Sequence, residues 1–485
     1  MKQFYLTLSL LMACLLGACA SSSSQAVKLQ LNPEFRRAVP PPGPSPILVA
    51  PEAILTRLPN GLTLITIEKR NLPLVHATMV FKSGSASDPA NRWGLAGFTN
   101  TILKTGTTSL SSNEIADAVE TRGSSIGNHV GGDSSSLSFR ALTESFHPVL
   151  EVFADIIKNP SFTPAEIERQ RVQRLTALSQ ASDSPQRTAN VVFHRTLYGP
   201  HPYGHTVLGN ESSLKDITAE DLRSFYNNHY RPENAALIIV GDISSKDARS
   251  AVEKSFGQWS AGKGVTLPPE APSPPAPGVF LVNKANAPQS QLRIGHLGVA
   301  RTNPDYFSIV LMNAILGGTF NSRINMNLRE DKGYTYGAGS HFDFRKSVGP
   351  FAVSTGVRTD VTLPAIEEVL KEIKTMRETD ASEEELQNAK NRYSLALPGY
   401  FQTVGGIASM YSKVFTFDLP LDYYRELPGK LAAVSVADVR MAAQKYLHPD
   451  TMVILVVGDK AQVAGELPKL NRGDLQELDS TGDPL

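Results

Sequence analysis

His201 and His205 are four residues apart, the spacing that sets two imidazoles on one helix face, where they bind zinc. Pro202 and Gly204 between them forbid that helix, so both histidines are read as loop residues. His129 and Asp133 flank Gly131 and Gly132 and could meet a ligand, but the glycines favour a turn. Glu383, Glu384 and Glu385 read as the solvated first turn of a helix, where carboxylates meet the positive end of the helix dipole. The only cysteines are Cys14 and Cys19, both at the extreme N-terminus. The body of the chain therefore has no thiol for a disulfide, a thiolate nucleophile or a cysteine-bound metal. No nucleophile constellation is identifiable, which leaves an independent hydrolase without support.

The elements that would position any site begin after a processing signal. Lys2 precedes an apolar run from Phe4 to Leu16, and Leu16, Gly17, Ala18 and Cys19 have the form of a bacterial lipoprotein cleavage site. Residues 1–18 are thus expected to be a signal peptide, with Cys19 as the lipidated residue. The apolar run is short for a membrane span, so the expectation is a lipid-anchored protein of the bacterial envelope, facing the periplasm. Ala20 after the cysteine favours the outer membrane. Residues 19–47, polar and then proline-rich, read as a tether. The 47 basic and 47 acidic residues balance, which removes the electrostatic case for nucleic acid.

A second proline-rich stretch, residues 263–278, divides the remainder nearly in half and reads as a linker. On either side the chain repeats itself. Residues 217–242 align without a gap to residues 434–459 at one offset of 217, matching Asp221 to Asp438, Arg223 to Arg440, Pro232 to Pro449 and Gly241-Asp242 to Gly458-Asp459. A match this long is a duplicated domain. Helix-period segments such as residues 148–157 and 364–373 alternate with short β-branched runs, so each copy reads as α+β, a sheet with helices packed on one face. The expected domains are residues 48–262 and 279–470, followed by a polar tail, 471–485.

Residues 94–107, GLAGFTNTILKTGT, resemble the segment GLAHFLEHMLFKGT that carries the inverted zinc motif HxxEH in the pitrilysin, insulinase and mitochondrial processing peptidase family. In that register Gly97, Asn100 and Thr101 fall at the first His, the Glu and the second His. Residues 168–185 resemble the segment with the third ligand, and Thr176 and Ala177 stand where its glutamates would be. HxxEH binds zinc through two imidazoles while its Glu acts as base on the metal-bound water. The resemblance therefore implies the family's fold without a zinc of this chain's own. Leu58 to Leu62, Gly84-Ser85 with Asp88-Pro89, residues 198–204 with Leu208-Gly209, residues 315–323 (ILGGTFNSR) and residues 328–336 (LREDKGYTY) continue the resemblance in family order.

The family divides labour, one part holding zinc and a zinc-free part supplying an Arg and a Tyr seven residues apart. Arg329 and Tyr336 match that pair. The resemblance thus implies two homologous repeats with mostly antiparallel sheets, forming half of a processing-peptidase-like clamshell. The partner would be a homologous HxxEH-bearing subunit holding the zinc, and an extended peptide would lie between them. In that arrangement Arg329 and Tyr336 hold the substrate and steady its oxyanion. The other reading the family offers is a scaffold or peptide-binding lipoprotein with no proteolytic role, like the core proteins of the respiratory cytochrome bc complex.

Overall fold

A computed structural model describes residues 50–262 and 269–485. Residues 1–18, Cys19 and nearly all of the tether lie outside the described residues. The first half builds a six-stranded sheet from β1 (Ile54–Arg57), β2 (Thr63–Glu68), β3 (Leu74–Phe81), β4 (Ile126–Val130), β5 (Ser135–Leu142) and β6 (Ala235–Gly241), in the order β1-β2-β6-β3-β5-β4. The second builds another from β7 (Gly278–Asn283), β8 (Gln289–Leu297), β9 (Thr335–Phe342), β10 (Pro350–Arg358), β11 (Val453–Gly458) and β12 (Leu475–Leu478), in the order β12-β7-β11-β8-β10-β9. Most neighbours are antiparallel. The exceptions are β2 with β6 in the first sheet, and β7 with both β11 and β12 in the second.

The duplication is visible down to its caps. The helices Ala219–His229 and Val436–Tyr446 each open on a capping box, Thr218 with Asp221 and Ser435 with Asp438, and each leads into a fully buried strand, β6 or β11. Each sheet packs one face on its own half's helices. Val75, Met79, Leu137 and Phe139 meet Phe98, Phe146 and Phe153 in one core, and Leu292, Ile294 and Val353 meet Ile309, Ile366 and Val439 in the other.

Two expectations need correcting. Helices do not cover only one face of each sheet, because the halves exchange helices. The Pro185–Tyr198 helix of the first half lays Ala189, Val192, Phe193 and Leu197 on Phe280, Val282, Val453 and Leu455 of the second sheet. Reciprocally, the Val404–Thr416 helix lays Val404, Ile407, Tyr411 and Val414 on Ile65, Ile67, Ile238 and Val240 of the first. These strand residues alternate with those of the first two cores, so strands that read as continuous apolar runs are buried on both faces. Secondly, residues 471–485 are more than a polar tail, because β12 adds a parallel edge strand to β7 and buries Leu478.

Candidate functional site

Residues 95–102 form a helix whose start is fixed by Asp88 and Gly94. Asp88 accepts from the N–H groups of Gly94 and Ala96 at 2.7 and 2.6 Å, while Gly94 takes a left-handed conformation, φ 92°. A Cβ on Gly94 would meet Leu208 O at 2.7 Å, so the 205–209 loop packs directly on the helix start. Burial raises Asp88 to about 7, against the pull of backbone N–H groups, and lowers the neighbouring His205 to about 4. His205 stacks on Trp93, and His201 lies before a single 3₁₀ turn, Pro202–Gly204, with its Nδ1 accepting from Tyr203 N–H. Both histidines belong to loop structure, as read.

The motif positions on this helix are filled by other chemistry. A Cβ on Gly97 would lie 2.5 Å from Val207 O and 3.2 Å from Arg174 Nη2. That same nitrogen donates to Thr101 Oγ1 at 3.0 Å, and Thr101 donates to Gly97 O at 2.9 Å. Arg174 projects from the Pro164–Ser182 helix and lays its guanidinium over Phe98, 5.3 Å from the ring centroid. Burial lowers its pKa to about 10, with the charge of Asp88 opposing, so it remains a cation at neutral pH. Asn100 is fully buried, donates to Tyr230 Oη at 3.2 Å and accepts from Asn128 Nδ2 at 2.9 Å. An amide so held is no general base.

Thr176 is exposed and returns its hydroxyl to Val172 O, while Ala177, one turn beyond Arg174, offers a methyl group. This donor set does not fit zinc: it has no imidazole, thiolate or carboxylate at the ligand positions, and a guanidinium stands between two of them. Arg174 and Val207 are the residues that sequence reasoning missed. Helical spacing places Arg174 three residues before Ala177, on the same face, and that was the signal available.

Arg329 and Tyr336 are presented differently. Arg329 lies in a π-helical turn, Met326–Asp331, with its guanidinium 4.6 Å from the Phe320 ring centroid and 3.2 Å from Glu330. Such turns recur at functional positions. Tyr336 is 91% exposed on β9, the free edge of the second sheet. Pairing of β9 with β10 slips there: Ala338 faces Thr355 but Thr335 faces Val357, leaving Tyr336 and Gly337 opposite Gly356 alone. A bulge of this kind re-aims the side chain it contains.

The remaining candidates resolve simply. Residues 131–134 form the expected turn, Gly131 N–H donating to Ser134 O at 2.8 Å, with Asp133 held by the Tyr203 hydroxyl and by Lys346 N–H. Glu383 and Glu384 are solvated as read. Glu385 is not: it completes a capping box with Ser382 and takes both arms of Arg323 at 2.7 and 2.9 Å.

Two profiles of one family match this chain, insulinase (peptidase family M16) over residues 63–211 and peptidase M16 inactive domain over residues 216–393. An uncharacterized zinc protease of Bacillus subtilis is 23% identical over 401 residues, 82% of this chain and 96% of the relative. Cytochrome b-c1 complex subunit 1 of Caenorhabditis elegans is 22% identical across 90% of this chain and 94% of its own length. The crystal structure of a peptidase M16 inactive domain from Pseudomonas fluorescens superposes with a TM-score of 0.79 at 26% identity, covering 84% of this chain and 98% of that one.

Proposed function

The chain belongs to the insulinase (M16) peptidase family, and from that premise we propose that it is a non-catalytic, substrate-binding subunit of a heterodimeric zinc endopeptidase in the bacterial envelope. The observation that carries this reading is a contrast between two places. The space around the metal-motif positions is filled by Arg174 and Val207, whereas Tyr336 is exposed and Arg329 partly exposed beside a free sheet edge, with none of the described residues covering the tyrosine.

The catalytic zinc belongs, on this reading, to a homologous partner bearing an intact HxxEH. An extended peptide is held between the two, with Arg329 and Tyr336 as its fixed donors. A guanidinium and a phenol offer directional hydrogen bonds to a peptide main chain and to a developing oxyanion. Cys19 carries the lipid that keeps the pair at the periplasmic face of a membrane, the outer membrane by preference. The match to a cytochrome b-c1 subunit keeps the second reading in view, a peptidase-like scaffold with no proteolytic role.

The test is zinc content and peptidase activity of the chain alone and mixed with the HxxEH-bearing envelope protein that co-purifies with it. Activity only in the mixture supports the subunit reading. An inert mixture selects the scaffold. Stoichiometric zinc or peptide cleavage by the chain alone overturns both.

A further inference from the structure

The sheet face opposite the motif helix carries an unassigned groove of about 520 Å³. Its floor is the part of the first sheet that the exchanged Val404–Thr416 helix leaves open. Cross-strand pairs put Thr78 with Ser138, Val80 with Ser136 and His76 with Arg140 on that face, and Ser136 with His129 of β4. Its wall is the polar stripe of the same helix, Gly405, Ser409, Ser412, Lys413 and Thr416. Asp343, Phe344 and Arg345, from the turn between β9 and β10, close one end. Hydroxyls on two sides supply both donors and acceptors, as a peptide main chain requires.

The charge in and beside this groove is one-sided in effect. Both acids are committed: Asp133 to the Tyr203 hydroxyl and Lys346 N–H, Asp343 to Arg345 at 2.8 Å. Of the cations, Arg345 is committed to Asp343, but Lys413 of the wall and Arg140, beside the groove as the cross-strand neighbour of His76, are not: among the described residues neither forms a side-chain hydrogen bond or ion pair, and both are exposed. His76 donates or accepts at Thr78 Oγ1, 2.9 Å away, and burial next to Arg140 keeps it neutral. A chain with no net charge thus presents one free cation in the hydroxyl-lined groove, Lys413, and a second, Arg140, beside it.

We infer that this groove binds an acidic segment of an extended peptide, with Arg140 and Lys413 taking its carboxylates and the Thr78, Ser136, Ser138 and Ser409 hydroxyls its main chain. The inference rests on the substrate-holding reading above and names its substrate class. Side chains of an extended peptide alternate between two faces, so acidic residues at alternate positions meet this wall together.

The experiment uses fluorescein-labelled peptides of equal length with glutamate, glutamine or lysine at alternate positions, titrated with the full chain and followed by anisotropy. The glutamate peptide is expected to bind roughly tenfold tighter than the lysine peptide, with the gap closing as salt rises. Arg140→Glu with Lys413→Glu should abolish or invert the preference without changing the melting temperature, both residues being exposed. Lys246→Glu with Lys374→Glu, on helices that do not line the groove, makes the same change in net charge and should leave it intact. Equal affinities, a preference that survives the first double variant, or one lost equally in the second overturns the inference. Binding without charge preference removes this inference alone, whereas binding of no peptide removes the substrate-holding reading with it.

Discussion

Arg174 Nη2 donates to Thr101 Oγ1 at 3.0 Å, bridging the two helices that the family uses to assemble its metal site. A guanidinium here holds by one hydrogen bond and by its contact with Phe98. Arg174→Met keeps most of the volume and removes both. The hydrogen bond is worth about 1 kcal/mol and the cation–π contact about 0.5–2 kcal/mol. The expected loss in urea unfolding is therefore about 1.5–3 kcal/mol, and a variant as stable as the parent would show that Arg174 bridges nothing.

Gly97→Ala sets two effects against each other. Alanine favours a helix interior over glycine by about 1 kcal/mol. The new Cβ, however, would lie 2.5 Å from the Val207 carbonyl oxygen, a backbone atom in a loop already packed on Gly94. Overpacking of this kind costs about 1–3 kcal/mol. The net expectation is a lower melting temperature, checked by calorimetry. A higher one would mean that the loop yields freely.

The duplication and the degenerate motif were legible because both are local. Identical offsets reveal a repeat, and glycine at a ligand position needs no coordinates to interpret. What filled the vacated space was not legible, because Val207 approaches Gly97 from a distant part of the chain. The exchanged helices were hidden for a related reason. The Pro185–Tyr198 helix has an ordinary apolar stripe, and no periodicity says which half's sheet that stripe will meet. The bulge at Tyr336 was hidden too, since a slip in register depends on the partner strand.

Arg329→Ala and Tyr336→Phe should separate catalysis from assembly. Tyr336 is almost wholly exposed and Arg329 partly so, which keeps the cost to stability small. Loss of one oriented donor to an oxyanion typically costs about a hundredfold or more in turnover. Each variant is expected to form the complex normally by size-exclusion chromatography and to lower its turnover by about a hundredfold or more. Unchanged turnover in both would remove the assigned role.

Stability should fall in mild acid through buried neutral histidines. His296 Nε2 accepts from His448 N–H at 3.2 Å, which requires a lone pair there, and burial lowers its pKa from 6.5 to about 4. His194 is alike, its Nε2 facing Arg345 at 3.2 Å and its pKa lowered to about 4. The unfolded chain takes up these protons below pH 6.5 and the folded chain only near pH 4. Stability is therefore fully present above about pH 6.5 and is lost as pH falls towards 4, by up to about 1.4 kcal/mol per histidine per pH unit. His296→Gln retains an acceptor but cannot protonate. Its melting temperature should drop less between pH 7 and pH 5 than the parent's.

The exchanged helices also predict what cutting the linker will do. Residues 269–277 have no regular structure, and the backbone carbonyl of Glu270 accepts from Ser347 of the second half and lies 2.7 Å from His201 Nε2 of the first. If the halves were domains joined only by this linker, a protease site placed in it would release two pieces. Here each piece carries a helix buried in the other's sheet, and separating them would expose Val192, Phe193, Ile407 and Val414 together with the strands they cover. Burying a large apolar side chain is worth about 1.5–3 kcal/mol, so these four residues alone oppose dissociation strongly. The cut protein is expected to elute as one species and to melt in one transition. Two separate peaks without denaturant would show that the helix exchange does not hold the halves together.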